Sequence, residues 1–282
     1  LRTALLAWLF ARSQDAAFLV RIDDLDSSRV RPGVAESQLA DLAALGLDWD
    51  GPVVRQSARL ELYRAAIVRL DAADLLYPCY CTRAEIREAA SAPHGALPEG
   101  AYPGTCRELT ATQRADRERS GRPPALRLRA AGAVVTFSDR LLGARRDTVD
   151  DLVVRRNDGA PAYNLAVVVD DAAQDVSEVV RGADLLDTTA RQLHLGGVLG
   201  APAPTYAHVP LVLGPDGARL AKRHGAVTLA DRAAQGETSL DVRSRLAASV
   251  GLATAGEQPS LAELLERFDP SALPSEPSVL TT

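Results

Sequence analysis

The chain is 282 residues long, 46% hydrophobic and 24% charged, with a formal net charge of −5. These values describe a globular chain of one large or two modest domains and exclude disorder, collagen and coiled coil. No apolar run approaches the ~18 residues of a membrane span and no charged-then-apolar leader precedes the first helix, so a cytoplasmic chain with no membrane role is expected.

In chain order, Arg2–Arg12 places Leu5, Leu6 and Leu9 on one helical face, and Phe18–Ile22 reads as a short buried strand. Helices are expected over Val34–Leu45, closed by Gly46, and over Ser57–Leu75 with Ser57 as N-cap. Beyond Pro78 the chain changes character: Cys79, Cys81, Pro93, Gly95, Pro98, Gly100, Pro103, Gly104 and Cys106 crowd into a loop too long for an ordinary connection. After a polar helix at Thr110–Arg119 come strand-like runs at Ala125–Arg129, Val134–Phe137 and Leu152–Arg155, and an Asn157-Asp158-Gly159 turn. Further strands are expected at Tyr163–Val169, Val176–Arg181 and Val209–Leu213, a helix at Thr188–Leu199, and terminal helices at Leu240–Val250 and Leu261–Phe268. The reading is α/β: two halves of a core around an insertion, with a short helical tail.

In open parallel sheets ligands bind beyond the carboxyl ends of strands. Arg21, Asp23, Asp24 and Asp26 follow the first expected strand, Asp170 and Asp171 the next, and Arg181 and Asp184 the one after. A single Asp-rich turn reads as a solvated helix cap; its repetition at three strand ends points to a site. Three cysteines in a chain without an export pattern read as reduced thiols or metal ligands rather than a disulfide frame. Metal binding can supply the folding free energy that a Pro/Gly-rich loop lacks. Of the 32 basic residues only Lys222 is a lysine, and methionine is absent, a bias that fits a GC-rich coding sequence and makes the lone lysine conspicuous.

Several segments, in order, resemble the catalytic part of glutamyl-tRNA synthetases. They are Arg21-Ile22-Asp23-Asp24-Leu25-Asp26, Leu45 to Pro52, Gln56-Ser57, Tyr80-Cys81-Thr82, Pro161 to Asp171, Val180 to Leu185, and Arg219-Leu220-Ala221-Lys222-Arg223-His224-Gly225. The match runs from Leu1 to about Leu229 and is nearest to short paralogues that keep the core and lack the anticodon-binding domain. The resemblance implies a Rossmann-like class I synthetase core with a zinc-bearing insertion and a short C-terminal helical region. Its expected boundaries are 1–76 and 163–230 for the two halves of the nucleotide-binding core, 77–162 for the insertion and 231–282 for the tail. It implies ATP-dependent activation of glutamate, with magnesium, and transfer to queuosine in the anticodon of tRNA(Asp).

The resemblance also assigns residues. Lys222, in a mobile loop, is expected to stabilise charge on the ATP phosphates as pyrophosphate leaves. Arg181, whose fork matches a carboxylate, and Tyr163 are expected to bind glutamate. Asp23 stands where the family usually has Glu and is expected to meet the substrate ammonium, directly or through a water. Cys79, Cys81, Tyr102 and Cys106 resemble a structural zinc site, with His94 as the alternative fourth ligand. His194-Leu195-Gly196-Gly197 imitates the family's ATP-binding histidine element but lies in the wrong place, inside a later helix. That element, the strand before it and a glutamate-binding arginine are expected upstream of Leu1. The alternatives are a catalytically inactive zinc-stapled module, or a synthetase cut short at its carboxyl end, which the Phe268-Asp269-Pro270 and Leu273-Pro274 stretch disfavours. Net charge gives no general attraction to RNA, so contact is expected to be local, at Arg114, Arg117, Arg119, Arg122, Arg145-Arg146 and Arg155-Arg156. No heptad or obligate protein partner is readable, and a monomer is expected.

Overall fold

The computed structural model describes residues 1–91, 101–214, 216–218, 220 and 228–279. The first half opens with α1 (Arg2–Arg12), β1 (Arg21–Ile22), α2 (Val34–Ala44), β2 (Val54–Arg55) and α3 (Leu60–Ala72). The insertion region carries β3 (Leu76–Cys79), α4 (Arg83–Ser91), α5 (Ala111–Arg119), β4 (Ala125–Leu128), β5 (Val134–Asp139), β6 (Gly143–Thr148) and β7 (Val153–Arg155). Then follow α6 (Tyr163–Ala173), β8 (Glu178–Gly182), α7 (Thr189–Val198), β9 (Thr205–Val209), β10 (Val212–Leu213), α8 (Leu229–Ala233), α9 (Ser239–Ala248), α10 (Leu261–Arg267) and β11 (Ser278–Val279).

The largest described sheet has the order β6-β5-β9-β8, in which β5, β9 and β8 run parallel and β6 returns antiparallel from β5. A three-stranded antiparallel sheet, β3-β4-β7, lies under the insertion, and β1 pairs with β2 in parallel. The strand expected over Phe18–Ile22 is regular only at its last two residues. Its earlier backbone still pairs, since Asp50 and Val54 donate N–H groups to the carbonyls of Phe18 and Val20.

Three expectations are corrected. Tyr163–Val169 is helical, so Asp170 and Asp171 lie inside α6 and not beyond a strand. Leu165 to Val168 are all buried, which erases the one-sided periodicity that separates a helix from a buried strand. Ser57 caps nothing: Gln56–Arg59 is a 3-10 turn and α3 begins at Leu60. The strand placed at Val209–Leu213 is two strands, because Pro210 has no N–H to continue the ladder of β9. β6 escaped notice because Arg145, Arg146 and Asp147 fill it with charge, yet it pairs with β5 along all six residues. The polar helix after Thr110 is found as α5, and Thr110 caps it, with Thr110 and Gln113 bonding each other's backbone N–H groups.

Two apolar clusters make the core. One joins Tyr63 and Leu70 of α3 to Leu76, Leu128, Val149 and Val154 of the insertion sheet and to Leu165 and Leu195 of α6 and α7. The other packs Leu5, Leu6, Leu9 and Phe10 of α1 against Ala207 and Val209 of β9 and against Ala247, Val250 and Leu264 of the helical tail. Within residues 77–162 sits the fully buried Asp151, which accepts from Tyr77 Oη (2.5 Å), Arg107 Nε (2.6 Å) and Ala130 N (2.8 Å). Burial alone would raise this carboxyl, but bonds from Arg107, Tyr77 and Ala130 outweigh it and hold the group below the usual carboxylate range.

Asp151→Ala leaves those donors unpaired and is expected to cost about 3–5 kcal/mol, on the order of 10 °C in Tm at neutral pH. Because the folded-state value is depressed, the contribution is complete above an unfolded value of about 3.9 and is lost as pH falls through the folded value. Thermal melts of both proteins from about pH 7 down to about pH 3 check this. A melting gap that does not narrow at the acid end would show that the carboxylate charge is not what holds these donors together.

Candidate active site and thiol cluster

A cleft of about 1610 Å³ runs between the core and the insertion. Asp23, Asp24, Asp26, Tyr163 and Asn164 line it on the core side, and Cys79, Cys81, Arg122, Arg127 and Arg191 line it toward the insertion. Asp23 is placed by the end of β1 and Tyr163 by the first turn of α6. Asp24 is fixed by Ser57, which donates both its N–H (2.8 Å) and its hydroxyl (2.7 Å).

The arginine after β1 organises this end. Arg21 donates to Asp23 (3.0 Å) and to Asp171 (2.7 Å) and lies 3.7 Å from Asp170. Asp170 is fully buried and accepts from Gln56 (2.9 Å), Arg59 (2.6 Å) and Tyr63 (2.8 Å). The motifs Arg21–Asp26, Gln56-Ser57 and Asp170-Asp171, far apart in sequence, therefore meet. Burial pushes the Asp171 carboxyl up against the pull of Arg21. Burial likewise raises the Tyr163 phenol, which feels Arg181 and Arg21 in one sense and Asp23 and Asp171 in the other. Tyr163 stays 43% exposed, open to a ligand.

Arg181, on β8, is 7% exposed and lines a smaller hollow of about 460 Å³ with Arg2, Gly182, Asp184, Leu185 and Leu220. Nε donates to His208 Nε2 (3.1 Å), Nη1 to Gln192 Oε1 (2.6 Å), and Nη2 to Thr189 Oγ1 (2.8 Å) and the Leu185 carbonyl (3.3 Å). Among the described residues no carboxylate is a hydrogen-bond partner of this guanidinium, and one N–H of Nη1 is left over. Gln192 also donates to Asn164 Oδ1 (3.0 Å), so one side chain of α7 links Arg181 to the residue beside Tyr163.

The three thiols converge: the Sγ atoms of Cys79, Cys81 and Cys106 all lie within 4.8 Å of one another, and Cys81 and Cys106 are 3.5 Å apart. Thiolates at tetrahedral corners around one zinc stand about 3.8 Å apart for ~2.3 Å bonds, so the cluster has the size of such a site. The Tyr102 phenol lies 3.4 Å from Cys79 Sγ and accepts the Cys106 N–H (2.8 Å). Hydrogen bonds from Cys106, Cys81 and Tyr102 lower the Cys79 thiol, while hydrogen bonding to Cys106 and Cys79, together with burial, raises Cys81. Arg127 stacks over the Tyr102 ring at 3.6 Å. The Tyr102 N–H donates to Asp150, whose other oxygen accepts from Arg191 of α7, tying the cluster to the core.

A profile for "tRNA synthetases class I (E and Q), catalytic domain" matches residues 1–263. The chain belongs to this family. Among curated relatives it is 59% identical to a "Glutamyl-Q tRNA(Asp) synthetase" of Nocardia farcinica, over 100% of this chain and 88% of that protein. It is 51% identical to one of the same name from Symbiobacterium thermophilum, over 98% and 89%. Among solved structures it resembles a glutamate tRNA ligase from Elizabethkingia meningosepticum in complex with its amino acid. That likeness has a TM-score of 0.80 at 24% identity, covers 99% of this chain and 63% of that one, and shows the class I catalytic fold.

Of the expected site residues of this class I chain, Asp23 and Tyr163 line the same cleft, and Arg181 lines the neighbouring hollow. Cys79, Cys81, Cys106 and Tyr102 come together; Lys222 and His94 lie outside the described residues. His194 sits half-buried inside α7, its basicity lowered by burial. The basic residues of the insertion are largely answered by acids: Arg119 by Asp116, Arg117 by Glu85, and Arg156 by Asp158. Sequence reasoning missed Asp139, His208, Thr189 and Gln192; the one available signal was a lone histidine between Ala207 and Val209 on an apolar strand. Among the described residues no helix is long and apolar enough to cross a membrane.

Elemental analysis of the protein purified without chelator is expected to find one zinc per chain, and Cys106→Ser to lose it together with thermal stability. Metal-free wild type that melts unchanged when zinc is added would rule out a metal at these thiols.

Proposed function

We propose that this chain activates glutamate with ATP and transfers the glutamyl group to queuosine in the anticodon of tRNA(Asp). The observation that carries the reading is its 59% identity, along its whole length, to a relative of that name. The side chains of the cleft suit the chemistry. An α-carboxylate oxygen attacks the α-phosphorus of ATP, pyrophosphate leaves with its electron pair, and a hydroxyl of the acceptor then attacks the acyl carbon and expels AMP.

Asp23, on the cleft wall, offers a carboxylate to the substrate ammonium, and Arg21 keeps that carboxylate oriented. Tyr163 offers a phenol from the same wall. The α-carboxylate must stay free to attack, so a guanidinium in this site serves best at the other end of the substrate, and Arg181 takes the side-chain carboxylate. Lys222 stabilises the leaving pyrophosphate, with magnesium accompanying the triphosphate. Cys79, Cys81 and Cys106, with Tyr102 as fourth ligand, hold a structural zinc that fastens the insertion beside the cleft. The reading divides the chain at 1–76, 77–162, 163–230 and 231–282 and makes it a cytoplasmic enzyme that meets its tRNA locally, through the cleft-lining Arg122 and Arg156.

The test is glutamate-dependent ATP–pyrophosphate exchange without tRNA, on this chain and on a product extended upstream to the next in-frame start. Exchange is expected, with Lys222→Ala slowing it by about 10²–10³-fold. Absence of exchange from both versions would overturn the reading and leave a binding module.

A further inference from the structure

Arg181 is held by a partner that is itself held. His208 and Arg181 are paired positions on the parallel strands β9 and β8, and Asp139 closes β5 beside them. His208 and Asp139 are 0% and 2% exposed, and His208 Nδ1 lies 2.6 Å from Asp139 Oδ2. An arginine N–H can only donate, so the 3.1 Å contact from Arg181 Nε requires a lone pair on His208 Nε2. The ring proton is then on Nδ1, where the Asp139 carboxylate accepts it. Asp139 cannot turn away, because it also accepts the N–H groups of Leu141 (3.0 Å), Leu142 (2.9 Å) and His208 (3.1 Å). The Tyr206 ring stacks on His208, with ring centroids 5.9 Å apart and planes 11° apart, and lies 5.0 Å from the Arg181 guanidinium carbon.

We infer that Asp139 and His208 are positioning residues for glutamate recognition: Asp139 locks His208 in the Nδ1–H tautomer, and the Nε2 lone pair so exposed aims Arg181 at the side-chain carboxylate of the substrate. The inference rests on the proposed glutamate activation. A carboxylate locks an imidazole tautomer in this way in hydrolase triads, where the isosteric amide reverses it. In Asp139→Asn the amide oxygen stays on the Leu141 and Leu142 N–H groups and its NH₂ faces His208 Nδ1. The ring proton moves to Nε2, which no longer accepts the Arg181 N–H and can donate only to Thr189 Oγ1, 3.2 Å away. Volume and the Leu141 and Leu142 bonds are kept, the His208 N–H retains only its longer contact to Oδ1 (3.4 Å), and the guanidinium loses its Nε anchor. Because the side-chain carboxylate separates glutamate from glutamine, the network also sets that discrimination.

The experiment uses the version of the protein that supports exchange. Asp139→Asn and His208→Leu are each expected to raise the KM for glutamate at least about tenfold, to leave the KM for ATP within about twofold, and to erode the preference for glutamate over glutamine by a similar factor. His208→Gln, whose amide oxygen can accept from Arg181 Nε, is expected to recover most of what His208→Leu loses. Long-range proton–nitrogen NMR spectra are expected to show the Nδ1–H tautomer of His208 in wild type and the Nε2–H tautomer in Asp139→Asn. The inference is overturned if wild type activates glutamate and the variants raise both KM values together or neither, or if His208 carries its proton on Nε2. A wild type that activates no glutamate overturns the proposed function, and the assignment falls with it.

Discussion

The cleft between residues 22–36 and 122–127 depends on a fully buried carboxylate. Asp170, inside α6, can stay charged there only if its oxygens are saturated by hydrogen bonds from donors fixed around it. The donors come from residues 56–63, more than a hundred positions upstream: Gln56, Arg59 and Tyr63. Arg21 stands beside them and reaches the adjacent Asp171. Breaking any of these leaves a buried charge short of partners, so the first and second halves of the core close in one arrangement. That arrangement sets Asp23 and Tyr163 on one cleft wall.

The insertion is fastened by the same means. Asp150 and Asp151, neighbours in sequence, divide the work: Asp151 gathers Tyr77, Arg107 and the Ala130 backbone, while Asp150 spans from the Tyr102 N–H to Arg191 of α7. The thiol cluster sits at the far side of Tyr102. The position of the three sulfur atoms is thus linked through two hydrogen bonds to the helix that carries Gln192 and Thr189, which hold Arg181.

Much of this was legible in the sequence where a residue type carries its meaning locally. Thr110 with Gln113 announces a capping box, Asn157-Asp158-Gly159 a turn, and the crowded cysteines a convergence. Motif order groups Asp23, Tyr163 and Arg181 into one expected site; Asp23 and Tyr163 line the cleft and Arg181 the hollow beside it. What resisted reading were features defined by partners far along the chain. The run from Tyr163 to Val169 is buried on nearly every side, so its helical period leaves no trace in hydropathy. Asp139 and His208 are separated by 69 positions, and neither lies in a recognisable motif; only the strand order β5-β9-β8 makes them neighbours.

The buried arginines of this fold differ in what answers their charge. Arg21, Arg59, Arg107 and Arg191 each end on a carboxylate at 2.7 Å or less, so their charge is neutralised within the fold. Arg181 is more deeply buried than these, yet its partners are an imidazole, an amide, a hydroxyl and a carbonyl, all of which orient a guanidinium without cancelling its charge. Burying a cation in this way costs free energy that an internal carboxylate would have offset. Arg2 and Arg127 are as deeply buried and are likewise held by hydroxyls or carbonyls. What sets Arg181 apart on the proposed reading is its link through Gln192 to Asn164 beside Tyr163, where a guanidinium held by neutral groups keeps its charge for an anionic substrate.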